Sequence, residues 1–315
     1  PDYIYGSIPN SYKGTDEEVR KDYIACASKH CLSKSLLKID IKDFFDNIHR
    51  DHVINIFQDI LHYPKEISEI LTDLCTFNDC LPQGGLTSSY LACLTLNFSE
   101  YSVVQRLQKK GLTYTRYVDD ITVSSKVSNY DFGYAKRIIY DMLDQKDLPT
   151  NEEKCSVTYD SSTPLIVHGL RVSFQSPRLP AKEVSKIRAA VRSIEKLATI
   201  TNYRTTHTYR KDYNRCMGRV NKLARVGHSQ HYKLVDRLTA IKPLARRQDV
   251  RRVPSTLRKL ERYHATHKNT RWYYDRYNTA NAKLNIIQRN FPNIADILRL
   301  KLKAIKPEYH HNAYK

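Results

Sequence analysis

A chain of 315 residues exceeds the usual size of one domain and can bury a sizeable core, which fits two domains or one large multi-lobed unit. Its 41% hydrophobic content includes no apolar run near the ~20 residues of a membrane span, so a soluble protein with no membrane partner is expected. The charge of +19 is uneven: residues 1–180 hold 20 Lys+Arg against 24 Asp+Glu, whereas residues 181–315 hold 32 against 9. So basic a region implies a polyanion, nucleic acid above all, over a merely solvated surface.

Seven cysteines, odd in number and without a CxxC pair, argue against a disulfide framework or a zinc knuckle. No secretory signal opens the chain, and a reduced, cytoplasmic setting is expected. It begins at Pro1 rather than Met.

In chain order, Leu36 to Phe45 (LLKIDIKDFF) is suited to a buried strand and turns toward an amphipathic stretch, His52 to Leu61. LPQGGLTSS (Leu81–Ser89) is a Pro and Gly-Gly loop leading into a helix over Tyr90 to Lys110, with Thr87, Ser88 or Ser89 as its cap. Tyr114 to Ser125 reads as strand, tight turn at Val118 to Asp120, strand. A helix follows over Asn129 to Leu148, then a turn and strand in LPTNEEKCSVTYD, then a short strand pair over Leu165 to Val172 with Gly169 at its bend. Pro177 and Pro180 mark a border. Beyond it, Val184, Ile187, Val191, Ile194 and Leu197 recur at helical spacing, with Lys182, Lys186, Arg188, Arg192 and Lys196 on the other faces. The remaining stretches repeat this basic, tyrosine-rich helical style. Strands alternating with helices to about residue 175 say α+β or α/β.

Asp40, Asp119 and Asp120 are acids in segments that otherwise favour apolar residues. Burying an unpaired carboxylate is costly, so such acids need cations, and hard divalent ions take carboxylate oxygens. Two metals about 4 Å apart would clamp an in-line phosphoryl displacement. A Tyr-x-Asp-Asp alone is weak evidence.

The order IDIKDFF, LPQGGLTSS, YVDD, TNEEK and LIVHGLRVS resembles the reverse transcriptase family, in the bacterial lineage of group II introns, retrons and defence-associated enzymes. The likeness is strong over about residues 35–175 and looser beyond. It implies a right-hand polymerase palm, an antiparallel sheet with packed helices, followed by a basic helical thumb. Residues 1–35 would be a remnant of fingers, 36–175 the palm with part of the fingers, and 176–315 the thumb and RNA-binding region.

By resemblance, Asp40, Asp119 and Asp120 are catalytic metal ligands, Asp120 the less direct, and Ile41 joins the metal set. The cofactors implied are two Mg²⁺ ions, with Mn²⁺ as a substitute. Phe45 matches the aromatic gate against a ribose 2′-hydroxyl, its alternative being plain core. Gln83 lines the dNTP pocket, and Gly84 and Gly85 allow close backbone approach. Lys154 matches a general acid for pyrophosphate, or is an ordinary solvated turn lysine. His168 and Gly169 belong to the primer-grip hairpin, His168 as a structural residue. Lys182, Lys186, Arg188 and Arg192 would follow a template–primer duplex. Arg271 and Trp272 suit single-stranded RNA, with Arg276 on the same helical face; core packing of Trp272 is the alternative. Asp43 and Asp46 read as surface acids or a cap, and Arg116 as a counter-charge to the hairpin acids.

Retron enzymes share an Asn-Ala-x-x-His stretch and a Val-Thr-Gly. Here the second reads Val167-His168-Gly169 and no match to the first is apparent, which ranks antiphage reverse transcriptases ahead of retron enzymes. A fingers motif is not found before Asp40, although Lys13, Arg20, Lys21, Lys29, Lys34 and Lys38 are available, and a missing N-terminal segment is expected. The function implied is RNA-directed DNA synthesis on a dedicated noncoding RNA in antiphage defence, with an effector protein or a second copy as possible partners. Alternatives are a retron enzyme making RNA-linked DNA, a template-independent or protein-primed polymerase using one of the C-terminal tyrosines, and a non-catalytic RNA-binding scaffold.

Overall fold

The computed structural model describes residues 1–13 and 17–309, without the side chains of Lys13 and Glu17, so the side chain of the Lys13 candidate lies outside what is described. Two compact units emerge, Pro1–Pro180 and Ala181–Lys315. The first unit begins with β1 (Ile4–Tyr5), β2 (Ser11–Lys13), β3 (Glu17–Val19), α1 (Tyr23–Lys29) and β4 (Ser35–Asp40). Helices α2 (Arg50–Asn55, running into a π-turn at Ile56–Ile60), α3 (Lys65–Cys75), α4 (Ser88–Leu94) and α5 (Asn97–Lys109) come next. The hairpin β5 (Thr113–Tyr117) and β6 (Asp120–Ser125), α6 (Gly133–Asp144), β7 (Ser156–Tyr159), β8 (Ile166–Val167) and β9 (Leu170–Arg171) complete it.

The main sheet has the order β1-β5-β6-β4-β7, antiparallel except where β1 runs parallel to β5. Alternation sorts its central strands into two faces. Leu37, Ile39, Ile121, Val123 and Tyr114 point into one core cluster with residues of α4, α5 and α6. Lys38, Asp40, Asp120, Thr122 and Thr115 lie on the opposite, polar face.

Several elements depart from the sequence expectation. The strand expected to reach Phe45 stops at Asp40, because Asp43 turns left-handed (φ +44°) and Asn47 donates to the Lys42 and Asp43 carbonyls, closing a loop that buries Phe44. The helix expected over Tyr90–Lys110 is two, α4 and α5: Thr95 turns its hydroxyl onto the Leu91 carbonyl, and Leu96 leaves helical geometry. Residues 1–35 belong to the same compact unit as the main sheet. β1 is a strand of its sheet, and α1, capped by the Asp22 carboxylate, packs on β5. Gly6 (φ +73°) is required there, since a Cβ would lie 2.8 Å from the Tyr117 ring.

The second unit's described residues form helices and the turns between them: α7 (Ala181–Ala198), α8 (His207–Arg225), α9 (Gln230–Ala240), α10 (Arg247–His267), α11 (Arg271–Ile287) and α12 (Pro292–Ala304). Its start at Ala181, rather than 176, follows the two prolines. α7 buries Val184, Ile187, Val191 and Ile194. Three of the tyrosines considered as primers are helix fasteners instead. Tyr209, Tyr213 and Tyr273 are buried, and their hydroxyls donate to the Ile241, Leu238 and Ile305 carbonyls at helix C-termini. These are carbonyls that a helix leaves without internal partners.

Candidate active site and nucleic-acid residues

Three acids meet where β4 ends and β6 begins. Asp40 and Asp120 are direct cross-strand partners, which sets their Cβ atoms about 4.5–5.5 Å apart. Asp119 is the second residue of the two-residue turn between β5 and β6, and its carbonyl accepts from the Ile41 amide at 3.1 Å. The turn is of the II′ kind, with positive φ at its first residue. That residue is Val118 (φ +60°), and a β-branched side chain makes the conformation strained. Its backbone is held from both ends: Val118 N–H donates to the Tyr5 carbonyl at 3.3 Å, and Arg116 Nη1 donates to the Val118 carbonyl at 3.1 Å.

Arg116 therefore does not neutralise the hairpin acids, as its position in the sequence implied. Its side chain shares the core face with Tyr114 and is fully buried against Glu100 of α5, with N···O distances of 2.6 and 2.8 Å. Tyr114 donates to the same carboxylate, and Arg116 Nη2 to the Cys93 carbonyl.

The counter-charge comes from Lys154. Its Nζ lies 3.2 and 3.0 Å from the two carboxylate oxygens of Asp40. The TNEEK turn is docked there by its backbone, since Asn151 N–H donates to the Asp40 carbonyl at 2.8 Å and Lys42 N–H to that of Pro149. The hydrogen bond to Asp40 and its charge raise the Lys154 pKa. Lys154 is thus ion-paired to Asp40 while its side chain stays 64% exposed. Burial, then the charges of Asp119 and Asp40, push the Asp120 carboxyl up to about 6. Burial also raises Asp119, opposed by its own backbone N–H.

Two carboxylates whose pKa burial and neighbouring acids hold up, beside Asp40 with its ammonium, suit a hard cation. Among the described residues no three His, Cys, Asp or Glu side chains form a ready cage. Mg²⁺ is ordinarily held by one or two carboxylates together with substrate phosphates. Ile41 contributes no side chain, which is buried in the core; its carbonyl is the group it can offer.

Phe45 is half-buried, packing on the core beside Phe44 with part of its side chain left open. Gln83 is exposed, and Gly84 has the φ of +94° that favours glycine. At Gly85 a Cβ would strike Ser88 Oγ, which donates to the Pro82 carbonyl and closes the loop.

His168 and Gly169 form the turn between β8 and β9, both at positive φ (+46° and +78°), the I′ type. The His168 ring lies 4.7 Å from that of Tyr117, with Nδ1 3.8 Å from Asp120. Burial pushes its pKa down to about 4, so it is a neutral ring rather than a cation at neutral pH. Its Nε2 is 3.4 Å from Cys26 Sγ, and Cys26 in turn contacts Thr115, whose hydroxyl meets the buried His30 at 2.7 Å. Cys26-Ala27-Ser28-Lys29-His30 is the Ala-x-x-His stretch missing from the sequence expectation, with Cys in place of Asn. The two departures from the retron pattern, Cys26 and His168, are one contact.

Lys182, Lys186, Arg188 and Arg192 are exposed on α7, with Lys186 paired to Glu183. Arg188 and Arg192 line a shallow groove floored by Ser185, Ala189 and Ser193. Arg271 is exposed and 3.8 Å from Asp275; Trp272 is 42% exposed and not core, and Arg276 covers its ring.

A palm-like sheet with acids at a hairpin turn and across from it defines a nucleotidyl-transferring polymerase, and the family model for reverse transcriptase (RNA-dependent DNA polymerase) matches residues 6–212. The chain belongs to the reverse transcriptase family, which makes it an RNA-directed DNA polymerase. It is 45% identical to the retron Ec48 reverse transcriptase of Escherichia coli over 98% of this chain and 76% of that one. It is 31% identical to the retron Se72 reverse transcriptase of Salmonella heidelberg, over 98% and 79%. A telomerase structure from Candida albicans is similar at TM-score 0.38 and 10% identity, over 85% of this chain and 49% of that one. The relatives bear out the bacterial lineage read from the sequence, and the two relatives named here are retron enzymes.

Proposed function

We propose that the protein is a retron reverse transcriptase that copies a dedicated noncoding RNA into RNA-linked DNA, in the cytoplasm, as part of antiphage defence. The 45% identity to a retron enzyme across nearly the whole chain supports this reading, and so does the Cys26–His168 contact where two retron motifs come together. The observation that carries the chemistry is the cross-strand pair Asp40 and Asp120, with Asp119 at the turn and Lys154 on Asp40.

Divalent ions, Mg²⁺ with Mn²⁺ as substitute, would be held by Asp40, Asp119, Asp120 and the Ile41 carbonyl; they supply charge neutralisation for the reacting phosphates. Lys154 is kept protonated by Asp40, so once that carboxylate is otherwise engaged it can give its proton to the leaving pyrophosphate. Phe45 crowds a ribose 2′-hydroxyl, and Gln83 with Gly84 borders the dNTP. His168 and Gly169 seat the primer end, while Lys182, Lys186, Arg188, Arg192, Arg271 and Trp272 engage nucleic acid. The burial of Tyr209, Tyr213 and Tyr273 weighs against those residues as protein primers.

The test is to purify the protein with its bound RNA and supply Mg²⁺ with labelled dNTPs or NTPs. Labelled DNA that disappears in Asp119→Asn and after RNase treatment, and whose sequence is that of the bound RNA, is expected. Bound RNA with no product would instead make the chain an RNA scaffold, and NTP incorporation would overturn the assigned sugar preference.

A further inference from the structure

The second unit holds a cavity of about 320 Å³ between α10 and α11, with Ser255, Lys259, Arg262, Tyr263, Trp272 and Arg276 on its walls. Small-ligand pockets occupy roughly 300–1,000 Å³, so one small ring system with an attached group fills it. Its apolar wall is aromatic. The Trp272 and Tyr263 rings meet edge to face, with centroids 5.6 Å apart and planes at 87°, and His267 supports both at 5.5 and 5.4 Å. Helix α11 sends adjacent rings in opposite directions. Tyr273 is buried with its hydroxyl on the Ile305 carbonyl, whereas Trp272 and Tyr263 stay 42% and 39% exposed. An amphipathic helix would gain by burying these rings; they are left partly open beside cations instead.

The polar wall is cationic. Lys259, Arg262 and Arg276 form no ion pair with an acid among the described residues, and no Asp or Glu lines the cavity. Asp275, the nearest acid along α11, faces Arg271 at 3.8 Å, so Arg271 is turned to a neighbour on its own helix. Arg276 sits 4.6 Å from the Trp272 ring centroid, joining the aromatic and charged walls at one point.

Each wall alone admits several ligands, and the two together narrow the choice. An anion without a ring would leave the indole unused, and an apolar peptide would bury three unpaired cations, which is costly. A flat heterocycle bearing phosphate satisfies both: bases stack on aromatic rings and guanidinium planes, and phosphates take Lys and Arg. In a paired duplex the base face is not free to stack.

We propose that this cavity receives one unpaired nucleotide of a single-stranded nucleic acid, its base on Trp272 and Tyr263 and its phosphate toward Lys259, Arg262 and Arg276. This rests on the reading that the basic helical unit engages nucleic acid, and deepens it by naming the pocket, the strandedness and Arg276 rather than Arg271 as the cation. Retained RNA and newly made DNA both contain unpaired nucleotides, and the experiment separates them.

Trp272 is the one tryptophan of the chain, so its fluorescence, excited selectively over tyrosine, reports this cavity. The full-length protein, stripped of nucleic acid, would be titrated with inorganic phosphate, AMP, UMP, a short single-stranded RNA, the same sequence as single-stranded DNA, and its duplex. The expected result is saturable quenching by single strands, at least about tenfold weaker with the duplex and absent with inorganic phosphate. Arg276→Gln and Lys259→Gln should weaken it severalfold, and each should lower the salt dependence by about one phosphate contact. Filter binding of Trp272→Ala should show lost affinity that Trp272→Phe restores. Stronger quenching by RNA than by DNA would assign the retained RNA; the reverse would assign the product strand. Oligonucleotide binding that leaves the fluorescence unchanged, or duplex quenching equal to that of single strands, would overturn the proposal. Asp119→Asn should quench like the unmodified protein, so failure of the polymerase reading and failure of this one give different patterns.

Discussion

The buried Arg116–Glu100 pair ties the catalytic hairpin to α5, and its removal has calculable consequences. In Glu100→Leu the guanidinium stays in the core with its carbonyl partners Cys93 and Val118 but no counter-charge. Leaving one charge of a buried pair unpaired costs about 3–5 kcal/mol. For a unit of 150–250 residues each kcal/mol shifts the melting temperature by roughly 2–4 °C, so the transition of the first unit should fall by about 6–20 °C. Adding Arg116→Met removes the stranded charge and should recover part of the loss; the Tyr114 hydroxyl lacks its partner in both variants, and the Cys93 and Val118 carbonyls each lose one donor. Calorimetry on the wild-type, both single variants and the double variant completes the cycle. A Glu100→Leu loss below about 1 kcal/mol, or a double variant equal to the sum of the singles, would refute the account. Activity adds a second readout: the double variant lacks the Arg116 contact with Val118, so DNA synthesis should stay impaired even where the fold is recovered.

Lys154→Gln should lower turnover and at the same time reduce the Mg²⁺ concentration giving half-maximal activity by severalfold, because the ammonium competes with metal for Asp40. A Mg²⁺ titration with an unchanged midpoint would separate Lys154 from that carboxylate. Phe45→Val should relax discrimination against ribonucleotides by about tenfold, equivalent to 1.4 kcal/mol, in single-nucleotide incorporation assays; unchanged discrimination would leave Phe45 a core residue. His30 is fully buried, and burial, with the nearby His168, pushes its pKa down to about 3 from 6.5. The unfolded chain takes up a proton below pH 6.5 that the folded one refuses, so stability present above that pH is lost progressively between about 6.5 and 3. Urea unfolding should show about 2 kcal/mol less from this source at pH 5 than at pH 7. His30→Gln should remove that difference while His168 and Asp120 still titrate in both proteins; an equal pH response would contradict it.

Where periodicity was long and regular, the sequence was legible. The acids, the hairpin, the strand after TNEEK and the buried stripe of α7 all follow from alternation or helical spacing. Arg116 shows that adjacency along the chain is not adjacency in space. In a strand it shares a face with Tyr114, two residues back, and turns away from the acids. β1 is two residues long and carries no period at all. Helix α3 runs against expectation, burying Ser68 and Thr72 while Ile67, Ile70 and Leu74 stay exposed. The Cys26–His30 stretch is hidden in the sequence because its first residue differs from the retron pattern, and only the fold brings Cys26 to His168.

The three acids owe their mutual placement to a backbone ladder, and that makes the site digital rather than analogue. Core substitutions displace packed strands continuously, by fractions of an ångström. Hydrogen-bond register changes only in whole residues, each a step of about 3.3 Å, and a single step would send Asp120 to the apolar face. Asp40 opposite Asp120, and Ile41 bonded across to Asp119, are therefore either fully right or grossly wrong. Small errors in packing cannot accumulate into a slightly misplaced pair of carboxylates. Side chains throughout the unit can drift in size and shape while the spacing at the reacting centre is restored by the same ladder each time the chain folds.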